Sequence, residues 1–406
     1  MILPIPVFDD LNHIDHYDIK KYITDQKYLN DFTQALNFLK AYNGSVGTFV
    51  SYRRDVERLL HWCTLIAKKT LVELKRQDIE DFIQFCQKPP KAWIGVHKVP
   101  RFTEKNGLRI PNPKWRPFVV TVSKNAHKSG ERPNLKDFEL SQSAVKDMFA
   151  ILGSFYNYLL QDEYVPLNPV ALIRQKSKFI RKTQGIKKIR RLSERQWNYV
   201  IKTAEEMAEN PSAFHERTLF IMSILYLMYL RISELAASKR WTPLMNHFFK
   251  DHDENWWFIT VGKGNKQRQI AVSDSMIQAL RRWRLHIGLS PLPALSDQSP
   301  LIPKVRGQGA ISNATYIRSI VQLCFDQAID KLRQDGHLEE ADSLGEATVH
   351  WLRHTGISDD VKNRPREHVR DDAGHGSGAI TDRYIDVNLK DRHQTAKNKQ
   401  LQENNR

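Results

Sequence analysis

The chain is poor in cysteine, in acid and in long apolar runs, and each shortage excludes something. Only Cys63, Cys86 and Cys324 occur in 406 residues. Far apart in sequence, they make neither a disulfide framework nor a zinc pattern. Cys63 and Cys86 fall on apolar helix faces and read as buried thiols in a reducing cytoplasm. The most apolar run, Leu219 to Leu230, is about half the ~20 residues of a membrane-spanning helix, and Arg231 ends it. It reads as a buried core helix. The N-terminal MILPIPVFDD lacks the basic region and long apolar stretch of a secretory signal. No internal repeat or low-complexity tract is evident. Acids fall short of bases, 46 Asp and Glu against 62 Lys and Arg, for a net charge of +16 and a pI near 9.6. Such a field favours a polyanion, either nucleic acid or an anionic membrane surface. The lack of a spanning run counts against the membrane.

What is present organises into two domains, as the length suggests. Residues 1–30 form an N-terminal segment and 31–172 a helical domain. Within it, residues 45–66 place Phe49, Tyr52, Val56, Leu59, Leu60 and Cys63 at helical spacing. Arg53, Arg54 and Arg58 fall largely off that face and are candidate phosphate contacts. A second helix follows in RQDIEDFIQFC with Asp78 as N-cap. A third begins near Gln142 and stops where Pro166 and Pro169 forbid continuation. Residues 88–137 interrupt this domain with seven of the 18 prolines, twelve Lys or Arg and three acids. They read either as a mobile surface loop, with PFVVTV as a short strand, or as a DNA-contacting insertion. Residues 171–191 hold nine basic residues and no acid. This predicts a basic linker over 173–191. Arg174, Lys176, Lys178, Arg181, Lys182, Lys187 and Lys188 are its candidate phosphate contacts.

A second domain spans 192–390, followed by a polar tail over 391–406. Ser193 and Gln196 form a capping box for its first helix. A long apolar helix from about Glu216 to Ala237 should be its core. NWWFITVGKGNKQRQIAVS switches to a period of two and reads as a β-hairpin. Its strands run to about Val261 and from Gln267 to Val272, with the turn at Gly264 and Asn265. The fold class is therefore mainly α with a small antiparallel β-hairpin (α+β).

Six polar residues in this second domain ask for one explanation: Arg231 in YLRISEL, Lys263 at the hairpin turn, His350 and Arg353 in HWLRHT, His375 in AGH and Tyr384 nine residues later. His350 and Arg353 share a helix face. Two arginines, a lysine and two histidines around one tyrosine would cradle a phosphate beside an oxygen nucleophile. Arginine binds phosphate oxygens bidentately and stays charged. Cations stabilise the charge of a pentavalent phosphorane. A tyrosine can form a covalent phospho-enzyme that stores the energy of a broken strand.

The ordered set LRISEL, VGKGNKQR, HWLRHT, AGH and the following tyrosine resembles the tyrosine recombinase (phage integrase) family. The N-terminal helices are similar to that family's SAM-like, helical core-binding domain. The resemblance implies a site-specific DNA recombinase or integrase. In it, Arg231 and Arg353 would grip the scissile phosphate and Lys263 would protonate the leaving 5′-oxygen. His350 would assist proton transfer, His375 would bond a non-bridging oxygen and Tyr384 would attack, leaving a 3′-phosphotyrosine. Glu234 would support Arg231. It also implies double-stranded DNA as partner, a homotetramer on synapsed DNA, a cytoplasmic, nucleoid-associated setting, and neither metal nor other cofactor. This chain departs from the family in having Tyr229 where glycine is usual, two before the first arginine. It also carries a long insertion before Lys263.

Other readings stay open. A type IB topoisomerase would use the same chemistry, and a silent DNA-binding protein the same scaffold. His350 and His354 at i, i+4 invite zinc, but Trp351 stands where the metalloprotease motif needs Glu. GKGNK lacks the spacer of a nucleotide-binding loop.

Overall fold

The fold is that of a computed structural model that describes residues 3–14, 19–21, 23–42, 45–171, 173, 179–180, 190–209, 213–262, 264–384 and 396–397. The chain divides into two compact units, Met1–Gly185 and Ile186–Arg406.

In the first unit, helices Gln26–Ala41, Val46–Trp62, Arg76–Gln87 and Gln142–Gln161 enclose one core that includes Phe32, Phe38, Phe49, Leu60, Phe82, Phe149 and Phe155. Ser45 and Ser141 cap two of these helices, accepting from the amides of Thr48 and Ala144, which satisfies orphan donors of the first turn. Asp78 is not an N-cap. It sits in the first turn and accepts from the Lys75 amide at 2.8 Å and from Lys69 Nζ at 2.6 Å. The helix Gln26–Ala41 lay within residues the sequence reading divided at 30/31. Asp25 caps it, and it buries Tyr28, Phe32, Ala35, Leu36 and Leu39.

Residues 88–137 are not a loose surface loop. Ile94–Gly95 pairs in parallel with Phe118–Val119, and Phe102–Lys105 with Leu108–Pro111 as a hairpin. Trp93 and Phe118 are fully buried in the unit's core. Arg101 is paired with buried Glu57, and Arg109 grips Asp9 through two bonds of 2.6 and 2.7 Å.

This packing corrects the reading of two arginines. Arg53 is 8% exposed and donates to the Asp9 carbonyl at 2.5 Å. Burial pushes its pKa down to about 10. Arg58 donates to the Pro117 carbonyl at 3.0 and 2.7 Å and stacks over Phe118. The helix face that looked solvated is covered by residues 9 and 117–118, so neither guanidinium faces solvent as a phosphate ligand would. Arg54 keeps 43% side-chain exposure while pairing with buried Asp55. The seven candidate contacts of the basic linker lie outside the described residues.

In the second unit, helices Glu194–Glu209, Ala213–Leu227, Asp274–His286, Ala314–Gln334 and Val349–Asp360 build the core. The Ser193–Gln196 box is reciprocal: the Ser193 amide donates to Gln196 Oε1 at 2.9 Å and the Gln196 amide to Ser193 Oγ at 3.2 Å. The hairpin pairs Trp256–Val261 with Gln267–Ala271, and its turn holds Gly264 and Asn265 at positive φ. The insertion before it adds a third strand, Phe248–Lys250. Helices Ala213–Leu227 and Val349–Asp360 cross very closely at Gly356. A Cβ there would stand 2.0 Å from the Tyr226 carbonyl oxygen. Cys63, Cys86 and Cys324 are all buried.

The apolar helix does not run to Ala237. It ends at Leu227, and Tyr229 takes a left-handed backbone, φ 50°. The chain then enters a short helix, Ile232–Leu235, with Arg231 at its N-cap. The break puts Arg231 at the start of a helix, where a cation gains nothing from the dipole.

Candidate active site

The turn at Tyr229 is the foundation of the site. A left-handed non-glycine residue is strained by about 1–2 kcal/mol, so surrounding contacts must hold it. The Tyr229 ring is 1% exposed and its hydroxyl is bonded to Asp360. Arg364 donates to that hydroxyl at 3.0 Å and to Asp372 at 2.6 Å. The Tyr229 carbonyl accepts from Arg353.

Arg231, the next residue but one, donates through Nη1 to Glu234 Oε1 at 2.9 Å. Glu234 is fully buried and also accepts the Arg231 amide at 2.9 Å and two bonds of 2.8 Å from Arg268. Burial raises its carboxyl pKa, but the bonds from Arg268 and Arg231 outweigh that and hold it below the usual range. Arg268, on the return strand of the hairpin, also donates to the Asp372 carbonyl at 2.9 Å. It therefore ties the hairpin both to the Arg231 turn and to the helix that precedes His375. Gly262 lets the hairpin come this near, since a Cβ there would lie 2.9 Å from Glu234 Oε1. Lys263 lies outside the described residues.

Helix Val349–Asp360 presents His350, Arg353 and His354. Arg353 is 2% exposed and donates to the Ala373 carbonyl at 2.6 Å. Burial, then Arg231, push its pKa down to about 9, which leaves it charged at neutral pH. His350 is exposed, yet desolvation by the surrounding protein, then Arg353 and Arg231, lower its pKa. Pro365 immediately precedes the helix Arg366–Ala373, which ends on Gly374. His375 follows, its Nδ1 2.9 Å from Thr381 Oγ1. Burial, then Arg353 and Arg231, bring it to about 4.

Tyr384 lies in a short turn after helix Gly378–Thr381. Tyr384 is 6% exposed. It belongs to a small buried cluster with Tyr229, Ile357, Val369 and Ala373, and its ring stacks on His375 with centroids 5.5 Å apart. Its hydroxyl is 2.6 Å from His354 Nδ1. The structure thus brings Arg231, His350, Arg353, His375 and Tyr384 to one place, with Glu234 beneath Arg231. Sequence reasoning missed His354, weighed only as a zinc partner of His350, and Arg268, read only as a strand residue. The nearest signal for either was adjacency to a motif residue in HWLRHT or VGKGNKQR.

Chemically, the site offers a phenol, two permanent cations and imidazoles held neutral. That set can bind a phosphodiester and attack it.

The phage integrase family model matches residues 190–391. Tyrosine recombinase XerC of Xanthomonas axonopodis pv. citri is 26% identical over 346 residues, covering 85% of this chain and 88% of that protein. XerC of Treponema denticola is 24% identical over 265 residues, covering 62% of this chain and 76% of that protein. The solved structure of XerH recombinase bound to palindromic difH substrate, a post-cleavage complex, superposes with a TM-score of 0.56. It covers 98% of this chain and 99% of that one at 13% identity, a likeness of fold. Through residues 190–391, which carry the whole motif set, the chain belongs to the phage integrase family, the tyrosine recombinases.

Proposed function

We propose that this protein is a site-specific DNA recombinase that cuts and rejoins duplex DNA through Tyr384. The observation that carries the reading is the Tyr384 phenol, packed beside His354 and His375 and within the field of Arg231 and Arg353. A phosphodiester seated against both guanidiniums would place its phosphorus before the phenol oxygen. Attack would form a 3′-phosphotyrosine and release a 5′-hydroxyl. The covalent link conserves the energy of the broken bond, so rejoining needs no nucleotide. Lys263 would protonate the leaving oxygen, His350 would assist proton transfer and His375 would hold a non-bridging oxygen. Glu234 and Arg268 position Arg231. Exchange of strands through a Holliday junction requires two duplexes and a homotetramer of this chain.

Duplex DNA is the partner that the net charge of +16 favours. Arg54 and the linker residues Arg174, Lys176, Lys178, Arg181, Lys182, Lys187 and Lys188 would contact its phosphates. Among the described residues no helix is long and apolar enough to cross a membrane. The working place would be nucleoid DNA in the cytoplasm.

The test begins with selection of a binding site from a randomised duplex library on the full chain. A nicked suicide duplex of that site should trap a protein–DNA adduct on a denaturing gel. Two such sites in one reaction should exchange strands, whereas a topoisomerase would only nick and reseal. No adduct from the native chain, or as much from Tyr384→Phe, refutes the reading.

A further inference from the structure

His354, inside HWLRHT but not among the six residues of the expected phosphate site, touches the oxygen that would react. It stands one turn after His350 on helix Val349–Asp360, with Nδ1 2.6 Å from the Tyr384 hydroxyl. Four titratable or charged groups face it. His350 and Arg353 come from its own helix, with the His350 ring edge-on and centroids 4.4 Å apart. His375 comes from the turn after helix Arg366–Ala373, and Tyr384 from the turn that closes the site. Burial, then His350, Arg353 and His375, hold the His354 pKa down to about 4. The ring is therefore neutral at neutral pH, and one of its nitrogens carries a lone pair. The nitrogen turned to the phenol is Nδ1, at the distance of a strong hydrogen bond.

Resting on the recombinase reading above, we propose that His354 is the base that takes the Tyr384 proton during strand cleavage and returns it during rejoining. In the forward step the bond from the phenol oxygen to phosphorus forms and the bond from phosphorus to the 5′-oxygen breaks. The phenolic proton passes to His354 Nδ1, and the 5′-oxygen takes a proton from the leaving-group side, where Lys263 would stand. Rejoining runs the same transfers in reverse.

The electrostatics favour this timing. In the free protein Arg353, His350 and His375 suppress protonation of His354, so the phenol keeps its proton. A phosphodiester seated between Arg231 and Arg353 brings a negative charge that offsets the guanidiniums. The basicity of His354 rises as the substrate arrives. The nucleophile is thereby armed by the group it is to attack.

The test uses the full chain and a suicide duplex carrying its selected site, in two forms: an ordinary phosphodiester, and a 5′-bridging phosphorothiolate at the cut. A sulfur leaving group departs without a proton. Single-turnover cleavage is compared for the native chain, His354→Gln and Lys263→Ala. His354→Gln keeps a hydrogen-bond acceptor but cannot take a proton. It should cleave both duplexes about 100- to 10,000-fold more slowly and lose the acid limb of the native pH profile. The sulfur duplex should rescue Lys263→Ala and not His354→Gln. Rescue of His354→Gln by sulfur overturns the proposal, as does native rate with a native acid limb. A second measurement needs no variant. Nitrogen-15 shifts of the native histidines should show His354 with a bare Nδ1 and protonated Nε2, and a protonated Nδ1 overturns the proposal. Failure of the native chain to cleave either duplex refutes the recombinase reading itself, and this step with it.

Discussion

Replacing Tyr229 by glycine restores the residue usual in the family at this position, and it should nevertheless destabilise the second unit. Two effects oppose each other. Glycine relieves the left-handed strain at φ 50°, a gain of about 1–2 kcal/mol. Against this, the residue is 1% exposed and lies in one buried cluster with Ile357, Val369, Ala373 and Tyr384. Removing a buried aromatic side chain costs about 3–5 kcal/mol, and the freedom glycine gains when unfolded adds roughly 0.5–1 kcal/mol. The loss wins, by roughly 1.5–5 kcal/mol on those ranges. Tyr229→Phe keeps the ring and gives up only the hydroxyl. Asp360 and Arg364 retain their own ion pair at 3.0 Å, so the cost should be about 0.5–1.5 kcal/mol. Urea unfolding followed by hydrogen exchange on peptides from 213–262 and 264–384 reads these changes in the second unit directly. A glycine variant as stable as the native chain, or more stable, refutes the claim that ring packing holds the turn that places Arg231.

Three further predictions follow from the same contacts. Glu234→Gln removes the buried charge that Arg231 and Arg268 share. It should lower stability by about 3–5 kcal/mol and adduct yield with it, and Arg268→Met in the same chain should recover part of the stability. His354 and His375 are both held near 4, against an ordinary 6.5. Between those values the unfolded chain takes up protons that the fold refuses. Stability complete above pH 6.5 should therefore drain as pH falls toward 4; a urea midpoint equal at pH 7 and pH 5 contradicts this. Gly356→Ala drives a methyl into the Tyr226 carbonyl, 2.0 Å from the ideal Cβ position. Because that neighbour is backbone, the cost should reach or exceed about 1–3 kcal/mol, seen as early loss of exchange protection in Val349–Asp360.

Local features were legible in the sequence and long-range ones were not. The Ser193–Gln196 box and the hairpin turn at Gly264 and Asn265 depend on a few neighbouring residues, and both formed as read. The mainly helical fold with one small sheet in the second unit also followed from periodicity. The break at Tyr229 did not, because a tyrosine rarely takes positive φ and the residues that hold it there, Asp360, Arg364 and Arg353 among them, lie more than a hundred residues away. Arg53 and Arg58 looked solvated because nothing near them in sequence says that residues 9 and 117 will cover their face. His354 was visible only as a neighbour of His350. Its contact with Tyr384 spans 30 residues and is made by tertiary packing.

The central claim is that Tyr384 becomes covalently joined to DNA. Mass spectrometry of the trapped adduct, after nuclease and protease digestion, tests it most directly. The account predicts one nucleotide-bearing peptide, with the phosphate on the Tyr384 oxygen and the DNA attached through its 3′ end. A phosphate on any other residue, or a link through a 5′ end, contradicts it.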